Sequence, residues 1–183
     1  TQKIALEEGN PVFYLQDGML VNGKTKELVV AEATITEANI PDGVESIGIY
    51  AFLWHEQLAT LTMPDSVESI KESAFFSCSN LKDIRFSSNL KYIGEDAFAF
   101  TGIESIRFPD IDPAPEFDWG VMGDCNELKT ADLSNLKLKE IPEGIFWGCE
   151  SLETVILPTV ATAIGSGAFA GCHALKSIDL LKG

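Results

Sequence analysis

Several stretches of the chain carry residue types that do chemistry in other proteins. Gly18-Met19-Leu20-Val21-Asn22-Gly23-Lys24-Thr25 satisfies G-x-x-x-x-G-K-[ST], the spacing of a phosphate-binding loop. That chemistry needs free backbone N–H groups around the phosphates and a helix N-terminus behind them. Here the middle residues are apolar and strand-like, and Leu28-Val29-Val30 reads as a strand where the helix should be. The amides are therefore expected in a hairpin ladder rather than around a nucleotide. Four cysteines, Cys78, Cys125, Cys149 and Cys172, invite a disulfide or zinc reading. Their long, even spacing lacks the close Cys or His pair that frames a zinc site, even with His173 and a carboxylate added to Cys149 and Cys172. Asp110, Asp112, Glu116 and Asp118 offer hard oxygens for calcium, but Pro113 and Pro115 stand where ligands belong, and a solvated acidic loop fits better. For catalysis there are two histidines, no H-E-x-x-H and no G-x-S-x-G, so no catalytic residue, metal or cofactor is expected.

The elements that must position these residues repeat. Ile40-Pro41-Asp42-Gly43-Val44-Glu45-Ser46-Ile47 is answered by Met63-Pro64-Asp65-Ser66-Val67-Glu68-Ser69-Ile70, 23 residues on. A framework apolar position recurs at Leu58, Leu81, Ile103, Leu128, Leu152 and Leu175, at spacings of 23, 22, 25, 24 and 23. Apolar residues follow three and then two positions later, as in Leu61 and Met63, the mark of a short strand with alternate residues turned inward. A second apolar pair (Val44/Ile47, Val67/Ile70) and an Ala-Phe step (Ala51-Phe52, Ala74-Phe75, Ala97-Phe98, Ala168-Phe169) complete each unit, with Ile145-Phe146 as a variant. A fixed period in the twenties predicts a solenoid whose units bury their apolar sides against one another. Each turn reads as strand, short second strand and a tight helical turn, with the Phe inside.

The period also sorts the thiols. All four cysteines fall at one repeat position, three residues after the Phe where that slot exists, and His55 shares it. With turns about 4.8 Å apart, Cys125–Cys149 or Cys149–Cys172 can bond but not both, and a buried row of thiols is the expected outcome.

Two segments depart from the repeat. Residues 1–39 break apolar runs at Asp17-Gly18 and Asn22-Gly23, which accept the positive φ of tight hairpins, so this part is expected to cap the open end. Between Phe108 and Leu133 the second-pair and Ala-Phe signals vanish, and the proline-rich stretch Pro109–Gly120 is expected to bulge from the stack.

The open face of the main strands should carry two rows. One holds Thr62, Arg85, Arg107, Asp132, Ile156 and Asp179; the other holds Thr60, Asp83, Ser105, Thr130, Thr154 and Ser177. Arg85 and Arg107 are expected side by side on neighbouring strands, with Asp83 and Asp132 as lateral counter-charges. The candidate ligand-binding residues are thus Asp83, Arg85, Ser105, Arg107, Thr130 and Asp132, a docking point for a carboxylate or other anion.

The formal charge of −15 over 183 residues argues against nucleic acid and against docking on anionic lipid. No apolar run approaches the ~18 residues of a membrane span. The chain starts at Thr1 without methionine, which fits either a removed export signal or lipid anchor, the reading expected here, or a trimmed start. It stops at Lys182-Gly183 directly after a strand, and a continuing segment or partner is expected there.

The pattern I-P-x-x-V-x-x-I-G-x-x-A-F-x-x-C-x-x-L-x-x-I-x-(L/F)-P, clearest from Leu157 to Leu180, resembles the BspA-like leucine-rich repeat family of bacterial surface and secreted proteins. The Asp17–Leu20 and Lys26–Val29 hairpin is similar to the one that often precedes such arrays. The fold class expected is an α/β repeat, a right-handed leucine-rich-repeat solenoid. It comprises about six turns of ~23 residues with a parallel sheet, residues 40–183, behind a β-hairpin cap at residues 1–39, with an irregular repeat at 109–132. The resemblance implies a non-catalytic protein-binding or adhesion module at the cell surface or secreted, with a host or extracellular protein as partner. A glycan-binding module using exposed Trp54, Trp119 or Trp147 is the alternative, and an enzyme with a cleft at the irregular repeat ranks third.

Overall fold

A computed structural model describes residues 3–180 of the 183. The first three strands, β1 (Phe13–Gln16), β2 (Met19–Asn22) and β3 (Glu27–Ala31), form an antiparallel meander. Asn22 caps its second turn, its Oδ1 accepting the N–H groups of Lys24 and Thr25. The phosphate-loop spelling is thus a hairpin, with β3 where a helix would have to begin.

From there two kinds of strand alternate: β4 (Glu37–Asn39), β5 (Ser46–Ile47), β6 (Thr60–Thr62), β7 (Ser69–Ile70), β8 (Asp83–Arg85), β9 (Tyr92–Ile93), β10 (Ser105–Arg107) and β11 (Glu116–Phe117). The series continues with β12 (Thr130–Asp132), β13 (Glu140–Ile141), β14 (Thr154–Leu157), β15 (Ala163–Ile164) and β16 (Ser177–Leu180). Even-numbered strands build the main parallel face and odd-numbered ones a second, narrower face. The main face has seven rungs, one more than the framework leucines suggest, because Glu37–Asn39 already pairs in parallel with Thr60–Thr62. On the second face β5 pairs with β3, so the cap meander and the array share one sheet.

The expected helical turn is absent: no helix occurs among the described residues. Two residues in every turn adopt positive φ, one just before the Ala slot (Tyr50, Ser73, Asp96, Gly120, Gly144, Gly167) and one just before the thiol slot (Trp54, Ser77, Phe100, Asp124, Gly148, Gly171). A left-handed residue every four positions stops helix propagation. The return segments are instead successive tight turns, stitched to the next turn by bonds such as Phe52 N–H to Ala74 O and Phe75 N–H to Ala97 O.

Phenylalanines fill the interior. Phe52, Phe75 and Phe98 stack with centroids 4.9 and 5.1 Å apart, and all three are fully buried. Each contributes about 1.5–3 kcal/mol of burial, as do the buried framework Leu and Ile residues beside them. In the irregular repeat the interior does not lapse. Val121-Met122 occupies the Ala-Phe slot, both fully buried, and Glu116–Phe117 pairs with Tyr92–Ile93. Only Pro109–Pro115 departs from the stack, and even there Ile111 is buried and bridges to Leu136.

The thiol slot is a hydrogen-bonded row. Cys78, Cys125, Cys149 and Cys172 are all free thiols. Their S–H groups donate to Phe52 O, Phe98 O, Met122 O and Phe146 O of the preceding turn, at 3.0–3.2 Å. His55 fills the slot through Ala31 O, and Thr101, which the thiol pattern does not reveal, donates to Phe98 O. Burial pushes Cys78 up to about 12 and Cys172 up to about 11, so both stay protonated and inert at neutral pH.

Candidate functional site

The main face keeps the expected rows on both sides of one discontinuity. Register aligns Asn39, Thr62 and Arg85 on β4, β6 and β8, and Arg107, Asp132 and Ile156 on β10, β12 and β14. The other row aligns Thr60 with Asp83, and Ser105 with Thr130 and Thr154. The side chain of Asp179 and the terminal Lys182-Gly183 lie outside the described residues.

Between β8 and β10 the ladder is broken: β4-β6-β8 and β10-β12-β14-β16 are separate sheets. The cause is the one short repeat. Thr101-Gly102-Ile103 stands where Cys78-Ser79-Asn80-Leu81 stood, one residue fewer. Gly102 is drawn so close to the previous turn that a Cβ there would sit 2.2 Å from Ser79 O. The strand after it no longer meets β8 in hydrogen-bonding register, and stacked Phe86 and Phe108 rings, 4.5 Å apart, close the gap from inside.

Arg85 and Arg107 are therefore not ladder neighbours, as side-by-side strands would make them. They flank the break and line one hollow of about 510 Å³ together with Asp65, Ser88, Pro109 and Asn135. Of the two lateral counter-charges expected, the cross-strand one at Asp132 is formed and the one at Asp83 is not. Arg107 pairs with Asp132 at 3.4 Å, and Asp132 is held by the N–H and O–H of Ser134. Arg85 is exposed and enters no ion pair among the described residues, and Asp83 does not reach it. Ser105 and Thr130 line the sheet beside the hollow rather than within it.

Asp65, Ser88 and Asn135 belong to the hollow although the strand rows do not include them. Asp65 Oδ1 accepts both the N–H and the O–H of Ser88, at 3.1 and 2.9 Å. Those bonds, and then the nearby Arg85 charge, hold its carboxyl below the usual range. Asn135 donates to Phe108 O at 2.9 Å. The signal for Asp65 and Ser88 was present in the period, since they occupy the same position 23 residues apart.

The return side carries the aromatics. Trp54 is 67% exposed, and Trp119 and Trp147 42% each, their rings 5.8 Å apart. Among the described residues no group of three His, Cys, Asp or Glu side chains gathers as a metal ion would need, and no helix is long and apolar enough to cross a membrane.

Several solved structures with this architecture come from bacteria. A leucine-rich repeat protein of Bacteroides ovatus is 26% identical with a TM-score of 0.73, the match covering 92% of this chain and 44% of that one. A leucine rich cell surface protein of Faecalibacterium prausnitzii is 29% identical with a TM-score of 0.64, over 92% of this chain and 39% of that one. The leucine rich repeat protein of T. pallidum, 23% identical with a TM-score of 0.68 over 86% of each chain, shares the fold. The chain thus spans under half the length of the first two. No curated protein matches the sequence. Residues 30–113 and 116–183 match the BspA type leucine rich repeat region in six copies, and the chain belongs to that family.

Proposed function

We propose that this chain is a non-catalytic interaction module of a bacterial cell-surface or secreted protein, and that it docks a carboxylate-bearing host or extracellular protein on its main face. The observation that carries the reading is Arg85. In a chain of formal charge −15, an exposed guanidinium in no ion pair among the described residues lines one hollow with Arg107 at the break in the main ladder. A fork of donors left free on an open face suits a planar carboxylate from a partner. Asp83, Ser105, Thr130 and Asp132 border that point and belong to the same docking surface. The bacterial relative described as a cell surface protein supports the location.

The test is capture of purified extracellular-matrix and plasma proteins on the immobilised chain, alongside an Arg85→Glu/Arg107→Glu double variant. A partner held by the native chain and lost, tenfold or more, by the variant is the expected result. A partner retained by the variant moves the site to the return side, where Trp119 and Trp147 would suit a glycan. No partner at all removes the adhesion reading.

A further inference from the structure

The hollow around Arg85 does not end at Arg85. A second hollow of about 410 Å³ adjoins it and shares both Arg85 and Asp65. Its far wall is the tip of the cap hairpin, Gln16 and Asp17, and its floor is the ends of β4 and β6 with Asn39 and Thr62. Together the two make one groove running across the strands from the hairpin tip to Asn135. Buried Ile40, Met63, Phe86 and Phe108 lie beneath it, so a polar surface rests on apolar core along its whole length.

Charge is sorted along this groove. The cap end holds Asp17 and Asp42, the other end holds Arg107, and Asp65 and Arg85 stand where the two hollows meet. Asp17 and Asp42 are exposed and, like Arg85, in no ion pair among the described residues. Asp65 spends one oxygen on Ser88, and Arg107 is partly committed to Asp132. The sorting comes from the repeat itself: the position that carries Asp42 and Asp65 turns to Ser88 in the next unit, where the strand row turns from Thr62 to Arg85.

We infer that this groove binds an extended peptide segment with a Lys or Arg side chain at the cap end and an Asp or Glu side chain at the Arg85–Arg107 end. This deepens the docking reading above and rests on it. Three rungs separate the turn of Asp42 from the strand of Arg107, about 14 Å at 4.8 Å per rung, which an extended peptide crosses in about four residues. A segment of one charge sign is disfavoured at one end whichever sign it carries, since a polyanion meets three carboxylates and a polycation two guanidinium groups.

The experiment is a fluorescence-anisotropy titration of the whole chain at low salt with three labelled eight-residue peptides. They differ only in carrying Lys and Glu four apart, two Glu, or two Lys. The mixed peptide is expected to bind roughly tenfold tighter than either single-sign peptide. Asp42→Asn and Arg85→Gln should each weaken it by about three- to fivefold, the scale of one partly exposed charge contact, and Arg85→Gln should shift preference toward the two-Lys peptide. Circular dichroism on both variants separates lost binding from lost fold. Equal binding of the two-Glu and mixed peptides overturns the inference and leaves a plain carboxylate dock standing. No binding of any peptide at millimolar concentration also overturns it, while the capture experiment judges the broader reading separately.

Discussion

At the scale of single residues, two carboxyls on the return side are held where their charge costs the fold. Asp96 and Asp124 both sit at left-handed positions on the return side, with their carboxyl oxygens against the backbone of Gly120 and Gly148 in the next turn. Partial burial first, and then Glu95 and Asp124, push the Asp96 carboxyl above its ordinary range; burial and Glu150 do the same to Asp124. A carboxyl with a raised folded pKa weakens the fold at every pH above that value. The penalty fades as pH falls toward the unfolded value of about 3.9. Asn keeps the shape and tolerates left-handed φ, so Asp96→Asn/Asp124→Asn should melt at a higher temperature than the native chain at pH 7 and at the same temperature at pH 3. Thermal melts by circular dichroism at the two pH values check this; a gain that persists at pH 3 would rule out ionisation as its cause.

At the scale of the element, the unit is the return turn with its two left-handed residues. The first of these positions is Gly in three units and Tyr, Ser or Asp in three others, so a side chain is tolerated where space exists. Gly144 has none. Its φ is 60°, and a Cβ there would lie 2.5 Å from the indole nitrogen of Trp119, which lies over the turn. Gly167 fills the same slot at φ 65° with nothing within 4 Å. Gly167→Ala should therefore cost about 1 kcal/mol, the left-handed penalty alone. Gly144→Ala should cost about 2–4 kcal/mol, because the Trp119 ring must also move. Urea denaturation of the two variants measures the difference, and equal costs would mean that the indole yields freely.

At the scale of the whole molecule, one short repeat followed by one long one sets the discontinuities. The 22-residue spacing from Leu81 to Ile103 breaks the main face between β8 and β10, and the 25-residue spacing from Ile103 to Leu128 breaks the second face between β11 and β13. The return side stays continuous through both, with Phe98 N–H bonded to Val121 O and Met122 N–H to Ile145 O. Solenoid stability is a sum of units and nearest-neighbour contacts, so these two seams should open before the rest. Hydrogen exchange should be faster at Ser105–Arg107, with one hydrogen-bonded neighbour strand, than at Thr60–Thr62, with two. Exchange mass spectrometry resolves those segments, and equal protection would show that the seam is no weaker than an intact ladder.

Much of this molecule was determined by the sequence alone, because in a solenoid sequence separation and spatial neighbourhood are the same thing. Residues 23 apart stack on one another, so the Phe interior, the thiol row and the alignment of Thr62 with Arg85 followed from spacing. The cap hairpins followed from Asp-Gly and Asn-Gly. Where neighbouring units differ, that identity fails and tertiary structure decides. Val121-Met122 fills the Ala-Phe slot without resembling it, since the interior demands apolar volume rather than a particular side chain. The absence of helix rests on left-handed backbone at Tyr50, Trp54 and Phe100, residue types that carry no such signal. The freedom of Arg85 depends on a missing residue near Gly102, on how far Asp83 reaches and on which carboxylate Arg107 takes. Those are matters of register and side-chain reach between unlike turns, which only the packed chain settles.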